Sequence, residues 1–290
     1  MNNNLRQYTK KNLNKSFLEN FFSNISVTMW LIIANILFFI VEEILLYINP
    51  NFIDYLALRP AFAIQGKYLW TFLTSMFMHA GLAHLFVNML SLFFIGVFVE
   101  KLIGKKRFLL FYLLAGLFAG AFFVFLSAFF GTFPLGIKIF GDPNIPGLGA
   151  SGAIFGLLGI LAVLTPKAKV YLIAGPLIAI ILEYVLEGML GANPILNILI
   201  VIIQIYFVFS LLAMISFNSK LSKFALPLKI SFWLVPIAAI LPLVIIGLFV
   251  SLPIGNMAHF GGFLAGAIYG AYLRTKYPKK VRLLNKMIPQ

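Results

Sequence analysis

Apolar residues fall in long stretches along this chain, near positions 26–48, 69–99, 107–130, 150–165, 170–190, 194–217, 230–252 and 257–273, divided by short polar or Gly/Pro-containing segments. A helix of about 20 apolar residues, rising about 1.5 Å per residue, crosses a hydrocarbon core roughly 30 Å thick. Only segments that close their backbone hydrogen bonds internally survive there. The pattern therefore predicts eight transmembrane helices. The fourth stretch is short, and the fifth is interrupted by Pro176 and carries Glu183 and Glu187 at i and i+4. The segment 131–149, GTFPLGIKIFGDPNIPGLG, is dense in Gly and Pro and leads straight into the fourth stretch, which makes it the most site-like loop. The first 25 residues are polar and basic and read as a tail ahead of a retained first span, without the short apolar region and cleavage site of a signal peptide.

Composition agrees with that pattern. The 290 residues are 62% hydrophobic and 10% charged, with mean hydropathy +1.02, against about 25% charged in an ordinary soluble domain. The formal charge of +14, from 22 Lys and Arg against 8 Asp and Glu, would in a soluble protein suggest nucleic acid. The positions of the charges give them another meaning. Cytoplasmic loops collect Lys and Arg, and with the N-terminus inside, 19 of the 22 cations lie in the inner segments while Arg59, Lys67 and Lys138 alone fall outside. The charge is a topology signal. It predicts both termini in the cytoplasm, a basic N-terminal tail over 1–25, a membrane domain over 26–273 and a basic C-terminal tail over 274–290. The remaining attraction is to anionic lipid of the inner leaflet, and no nucleic-acid partner is expected. There is no cysteine, so thiol chemistry and zinc-thiolate sites are excluded.

Polar groups within a bilayer are costly, so each one inside a span is a candidate for function. Three groups stand out. Ser151 lies in Gly149-Ala150-Ser151-Gly152 at the outer start of the fourth span, where small neighbours leave its hydroxyl approachable. His259 lies in Ala258-His259-Phe260-Gly261-Gly262 near the outer start of the last span, on the same membrane face. His84 and Asn88 share one face of the second span at i and i+4. A serine, a histidine to take and return its proton, and donors for an oxyanion are the parts of nucleophilic acyl transfer. Gly262, Gly266 and Gly270, spaced by four, would let the last span pack backbone-close to the fourth at Gly152 and Gly156. Each has a plainer structural reading: a serine among glycines most often packs helices, and a buried histidine, such as His79, most often bridges them. The conjunction of spacing, sidedness and depth is what favours chemistry.

These residues resemble a family. The run Trp70–Gly104, WTFLTSMFMHAGLAHLFVNMLSLFFIGVFVEKLIG, is similar to the second-span signature of rhomboid proteases, with paired histidines, H-x-x-x-N at His84 and Asn88, and G-x-x-x-E-x-x-x-G at Gly96, Glu100 and Gly104. GxSG at 149–152 and AHxxGxxxG at 258–266 follow in the family's order. The resemblance implies an all-α integral membrane bundle, a rhomboid-like six-helix core with about two extra transmembrane helices. It also implies an intramembrane serine endopeptidase that cuts in or next to transmembrane helices of membrane protein substrates. Ser151 and His259 would form a catalytic dyad without a catalytic acid, metal or cofactor, with Phe155, four residues after the serine, stacking on the histidine. Two departures are visible. Thr71 stands where the family has arginine, and three spans rather than one separate the serine and histidine helices. H-E-x-x-H and a pair of intramembrane aspartates are both absent, which excludes the other intramembrane protease chemistries. An inactive relative that binds or routes membrane clients is the alternative. The absence of a signal or transit peptide leans toward a prokaryotic cell membrane. A substrate helix that unwinds locally, with Gly, Pro or Ser near the cut and a small residue at it, is the physical expectation, because a regular helix shields its own peptide bonds.

Overall fold

The computed structural model describes residues 25–190, 194–215, 220–249 and 255–288, so the structure of the first 24 residues of the N-terminal tail lies outside them. Helix α1, Val27–Ile48, opens on Ser26, whose hydroxyl accepts the Met29 N–H. A looped segment with three short helical turns leads to α2, Leu82–Ser91, which passes through a π-helical turn, Leu92–Gly96, into α3, Val97–Ile103. Helix α4 spans Lys105–Phe130, and α5 is the short Pro134–Phe140. Helix α6, Ser151–Leu164, is followed by strand β1, Lys169–Ile173, and by α7, Ala174–Leu190. Then come α8, Pro194–Ile215, strand β2, Pro227–Ser231, and α9, Val235–Gly247. The last two helices are α10, Asn256–Lys276, and α11, Pro278–Met287.

Four helices among the described residues are long and apolar enough to cross a membrane: Val27–Ile48, Leu82–Ile103, Lys105–Phe130 and Ile195–Met214. Shorter apolar helices occupy Ser151–Leu164, Ala174–Glu183 and Phe232–Gly247. Large apolar side chains stay exposed along them, Leu37, Ile40, Ile44, Phe94 and Leu110 among them, as expected where lipid and not water is the solvent.

The structure corrects the sequence reading at four places. The second stretch is no continuous helix over 69–99: its first part holds only the turn Thr71–Thr74, and the long helix starts at Leu82 after Gly81, whose φ of 144° no L side chain adopts readily. The fold is helical but not purely α. Strands β1 and β2 pair antiparallel, with Lys169 opposite Ser231 and Ile173 opposite Pro227, so the stretches at 170 and 230 both begin as strand. The loop 131–149 contains α5, started by Pro134 at a first-turn position where its missing N–H costs nothing. Finally, the tail after 273 is helical, with α10 running to Lys276 and α11 following.

The centre of the molecule is the contact between α6 and α10, flanked by α4. Lipid tails are as apolar as leucine, so helices in a membrane associate through close packing and not through the hydrophobic effect. A methyl group at Gly262 would collide with the Gly152 carbonyl oxygen, and one at Gly266 with that of Gly156. Backbone meets backbone there. Phe108, Tyr112, Leu157, Ile160 and Leu161 fill the core around this contact. Glu100 is buried at the start of α1, where its carboxylate accepts the Val27 and Thr28 N–H groups at 2.9 and 2.8 Å and the Thr28 hydroxyl at 2.6 Å. It thereby satisfies amides that a helix start leaves unpaired and locks α1 to α3.

Candidate active site

The site is assembled at the N-terminal ends of α6 and α10. Ser151 is the first residue of α6, where the leading N–H groups have no intrahelical partner and point outward. The chain reaches it through Gly149, held at φ +121°, with its N–H donated to the Ser75 carbonyl at 2.8 Å. A side chain at Gly149 would sit 2.9 Å from His84 Cε1 as well as being strained, so glycine is required for both reasons. The strap before it is tied to the first loop by the Leu58–Gly147 backbone pair, at 3.0 and 2.8 Å, and at its other end Ser127 Oγ donates to Gly141 O at 2.9 Å.

His259 sits one turn into α10. Its Nε2 lies 2.8 Å from Ser151 Oγ, across 108 sequence positions. Its ring stacks on Phe155, one turn along α6 from the serine, with centroids 4.5 Å apart and planes 17° from parallel. The other ring nitrogen, Nδ1, is buried without a hydrogen-bond partner among the described residues, so none of their carboxylates orients the imidazole; the aromatic stack and the helix do.

His84 faces the same spot from α2. Its Nδ1 accepts the Ala80 N–H at 3.3 Å, which in a neutral imidazole leaves the proton on Nε2, the nitrogen nearer Gly149. Asn88 is buried one turn on and spends one amide proton on the His84 carbonyl at 3.1 Å. Its second amide proton is the one available to another acceptor. Gly262 and Gly266 lie on the α10 face against α6 and set how closely the two helices approach. Thr71 is buried and donates its hydroxyl to the Tyr68 carbonyl at 2.7 Å, within its own turn.

One member of this neighbourhood had no counterpart in the sequence reading. Glu42, deep in α1 and 1% exposed, accepts the His79 N–H at 2.9 Å, and the His79 ring packs edge-on against His84 at 5.1 Å. An acid inside an apolar stretch was the available signal. Glu183 makes a contact of its own on the far side: it accepts from Gln204 Nε2 at 2.8 Å, joining α7 to α8. The side chain of Glu187 lies outside what the structure describes.

A family model, the rhomboid domain, matches residues 66–205 and 206–276, most of the chain. The chain belongs to the rhomboid family. As a rhomboid it is an integral membrane protein. Among similar proteins, the rhomboid protease GluP of Bacillus subtilis is 42% identical over 98 residues, which is 33% of this chain and 16% of that protein. The inactive RHOMBOID-like protein 8 of Arabidopsis thaliana is 33% identical over 105 residues, 36% of this chain and 25% of its own length. RHOMBOID-like protein 1 of the same plant is 37% identical over 105 residues, 36% and 23% of the two chains. The matched part is thus a quarter or less of each of these relatives. Rhomboids with protease names and a rhomboid named inactive both occur among them, and with a bacterium and a plant represented the expected prokaryotic membrane gains no support.

Proposed function

We propose that this rhomboid is an intramembrane serine endopeptidase acting through Ser151 and His259. The observation that carries the reading is the 2.8 Å approach of His259 Nε2 to Ser151 Oγ, on helices held together by glycine contacts, with the imidazole stacked on Phe155. Ser151 Oγ attacks the carbonyl carbon of a substrate peptide bond while His259 Nε2 takes the hydroxyl proton. The Ser151 N–H, His84 Nε2–H and the second amide proton of Asn88 donate to the oxyanion. Each such donor is typically worth about 10²–10³ in rate. Collapse of the tetrahedral intermediate breaks the C–N bond, and His259 returns its proton to the departing amine. Water, deprotonated by the same nitrogen, then attacks the acyl-serine, releasing the new carboxyl end and restoring the hydroxyl. No step calls on a metal or cofactor.

The proposed substrates are transmembrane helices of membrane proteins, entering from the bilayer and unwinding near a small residue. The proposed topology has eight spans with both termini inside. The proposed domain limits are the basic tails at 1–25 and 274–290 around a membrane domain over 26–273. The path of the chain supports this: α6 runs from Ser151 at one end to Leu164 at the other, the β1–β2 ribbon follows that second end, and α7 and α8 leave and return to the ribbon.

The test is cleavage of a single-span reporter, with a small residue near its outer end, in liposomes by wild type, Ser151→Ala and His259→Ala. Cleavage by wild type alone, unaffected by chelators, is the expected result. A folded wild type that cuts none of several reporters would instead favour a client-binding role without proteolysis.

A further inference from the structure

At the end of α6 farthest from Ser151, two cavities lie side by side and share Leu164 and Val281 as walls. They differ in chemistry. One, of about 420 Å³, is bordered by Lys167, Arg274, Arg282 and Lys286, together with Asn285. The other, of about 230 Å³, is lined by Leu102, Ile103, Leu273 and Leu284 and also by Arg107 and Lys280. Both latter cations also flank Tyr277, at 6.0 and 5.6 Å from the ring centre. Six positive side chains thus converge on a paired basic and apolar hollow.

Among the described residues nothing acidic offsets them. No Asp or Glu occurs after Glu187, Glu100 is spent on the start of α1, and the one ion pair among the described residues joins Arg59 to Asp54, by the first loop. Gathering like charges without counter-charge is unfavourable, and a bound anion relieves it. The roof of both cavities is α11, which is pinned by Asn285 Nδ2 donating to the Leu164 carbonyl at 2.7 Å. It alternates Lys279, Lys280, Arg282 and Lys286 with Leu283 and Met287, both of which are exposed. A helix of that composition lies in the plane of a membrane interface.

We infer that this hollow is a binding site for one anionic phospholipid, its phosphate among Lys167, Arg274, Arg282 and Lys286 and the start of an acyl chain against Leu102, Leu164, Leu273 and Leu284. The pairing of a cationic pocket with an apolar one, under an interfacial helix, matches the two halves of such a lipid. That the lipid belongs to the inner leaflet rests on the topology proposed above; the site itself does not depend on proteolysis. Because the walls include Leu164 of α6 and Leu273 of α10, the lipid braces the far ends of the two helices that carry Ser151 and His259.

The experiment is native mass spectrometry of the full chain in neutral detergent, titrated with dioleoylphosphatidylglycerol, with dioleoylphosphatidylcholine, or with inorganic phosphate. Wild type and Ser151→Ala are both expected to retain one phosphatidylglycerol, at least tenfold more tightly than phosphatidylcholine, and millimolar phosphate is expected not to displace it. The quadruple variant Lys167→Gln, Arg274→Gln, Arg282→Gln, Lys286→Gln should lose at least tenfold in affinity. A control neutralising Lys101, Lys106, Lys223 and Lys229 should retain wild-type affinity. Should the quadruple variant not fold, Arg274→Gln with Arg282→Gln is the milder case, with a loss of at least threefold expected. Equal losses in test and control variants would mean diffuse charge attraction, and displacement by phosphate would mean a free-anion site. Equal retention of both lipids, or unchanged affinity in the milder variant, would likewise overturn the assignment.

Discussion

At Phe155 the structure replaces an electrostatic device with a steric one. A histidine whose second nitrogen is anchored to a carboxylate has its ring turned by a hydrogen bond; here Nδ1 has no partner among the described residues, and the stacked ring at 4.5 Å does the turning. Aromatic pairs of this kind are worth about 0.5–1.5 kcal/mol, enough to favour one ring orientation roughly tenfold. Phe155→Leu is therefore expected to lower kcat of the proposed protease about tenfold with KM little changed, and Phe155→Tyr to stay within about threefold of wild type, both read by reporter cleavage. Phe155, like Ser151 and His259, was legible because the family motif names the positions and small residues leave room around them. Glu42 was not. It sits in a stretch apolar enough to be read as a span, and its partner, the backbone N–H of His79, is invisible to any pattern of side chains.

Among elements, the α6–α10 pair shows how spacing alone can announce a contact. Glycines every fourth residue on α10, facing Gly152 and Gly156, describe a helix face without side chains, and the structure brings those faces together. Gly266→Leu has no flexible side chain to push aside, only the Gly156 carbonyl. It should separate the helices, abolish reporter cleavage and cost more than about 2 kcal/mol, within the range for overpacking, as measured by unfolding in mixed micelles. The conservative Leu161→Ile, on the same helix but in side-chain packing, should cost less than about 1.5 kcal/mol. The strands β1 and β2 escaped the sequence reading for a complementary reason. KVYLI and PLKIS abut apolar helical stretches, so their Val, Tyr and Ile content was absorbed into the spans, while their pairing joins residues about 60 positions apart. The break before α2 was lost similarly: residues 69–81 are apolar enough to continue a helix, yet the helical turn stops at Thr74 and the long helix begins only after Gly81, in a backbone conformation that composition does not reveal.

Across the whole molecule, the ribbon shows how three helices, α7, α8 and α9, fit in the chain between the helices that carry Ser151 and His259. Ile173 lies directly opposite Pro227, so everything from Ala174 to Leu226, helices α7 and α8 included, leaves and re-enters the fold at one point. Replacing 174–226 by Asn-Gly, the two-residue connection that suits an antiparallel pair, removes α7 and α8 together and, in the proposed topology, keeps the sidedness of all the other spans. The shortened protein is expected to insert, fold and cut the reporter within about tenfold of wild type; loss of folding would show that the α7–α8 packing near Val87 of α2 is needed by the core. The contact between α6 and α10 has a different reach. Where two polypeptide backbones touch, the distance between what they carry is governed by atomic radii, with a tolerance of tenths of an ångström. The lipid-facing helices around that contact have no such rule to obey. For the proposed protease, a substrate helix is therefore expected to displace those outer helices and not the pair that carries hydroxyl and imidazole.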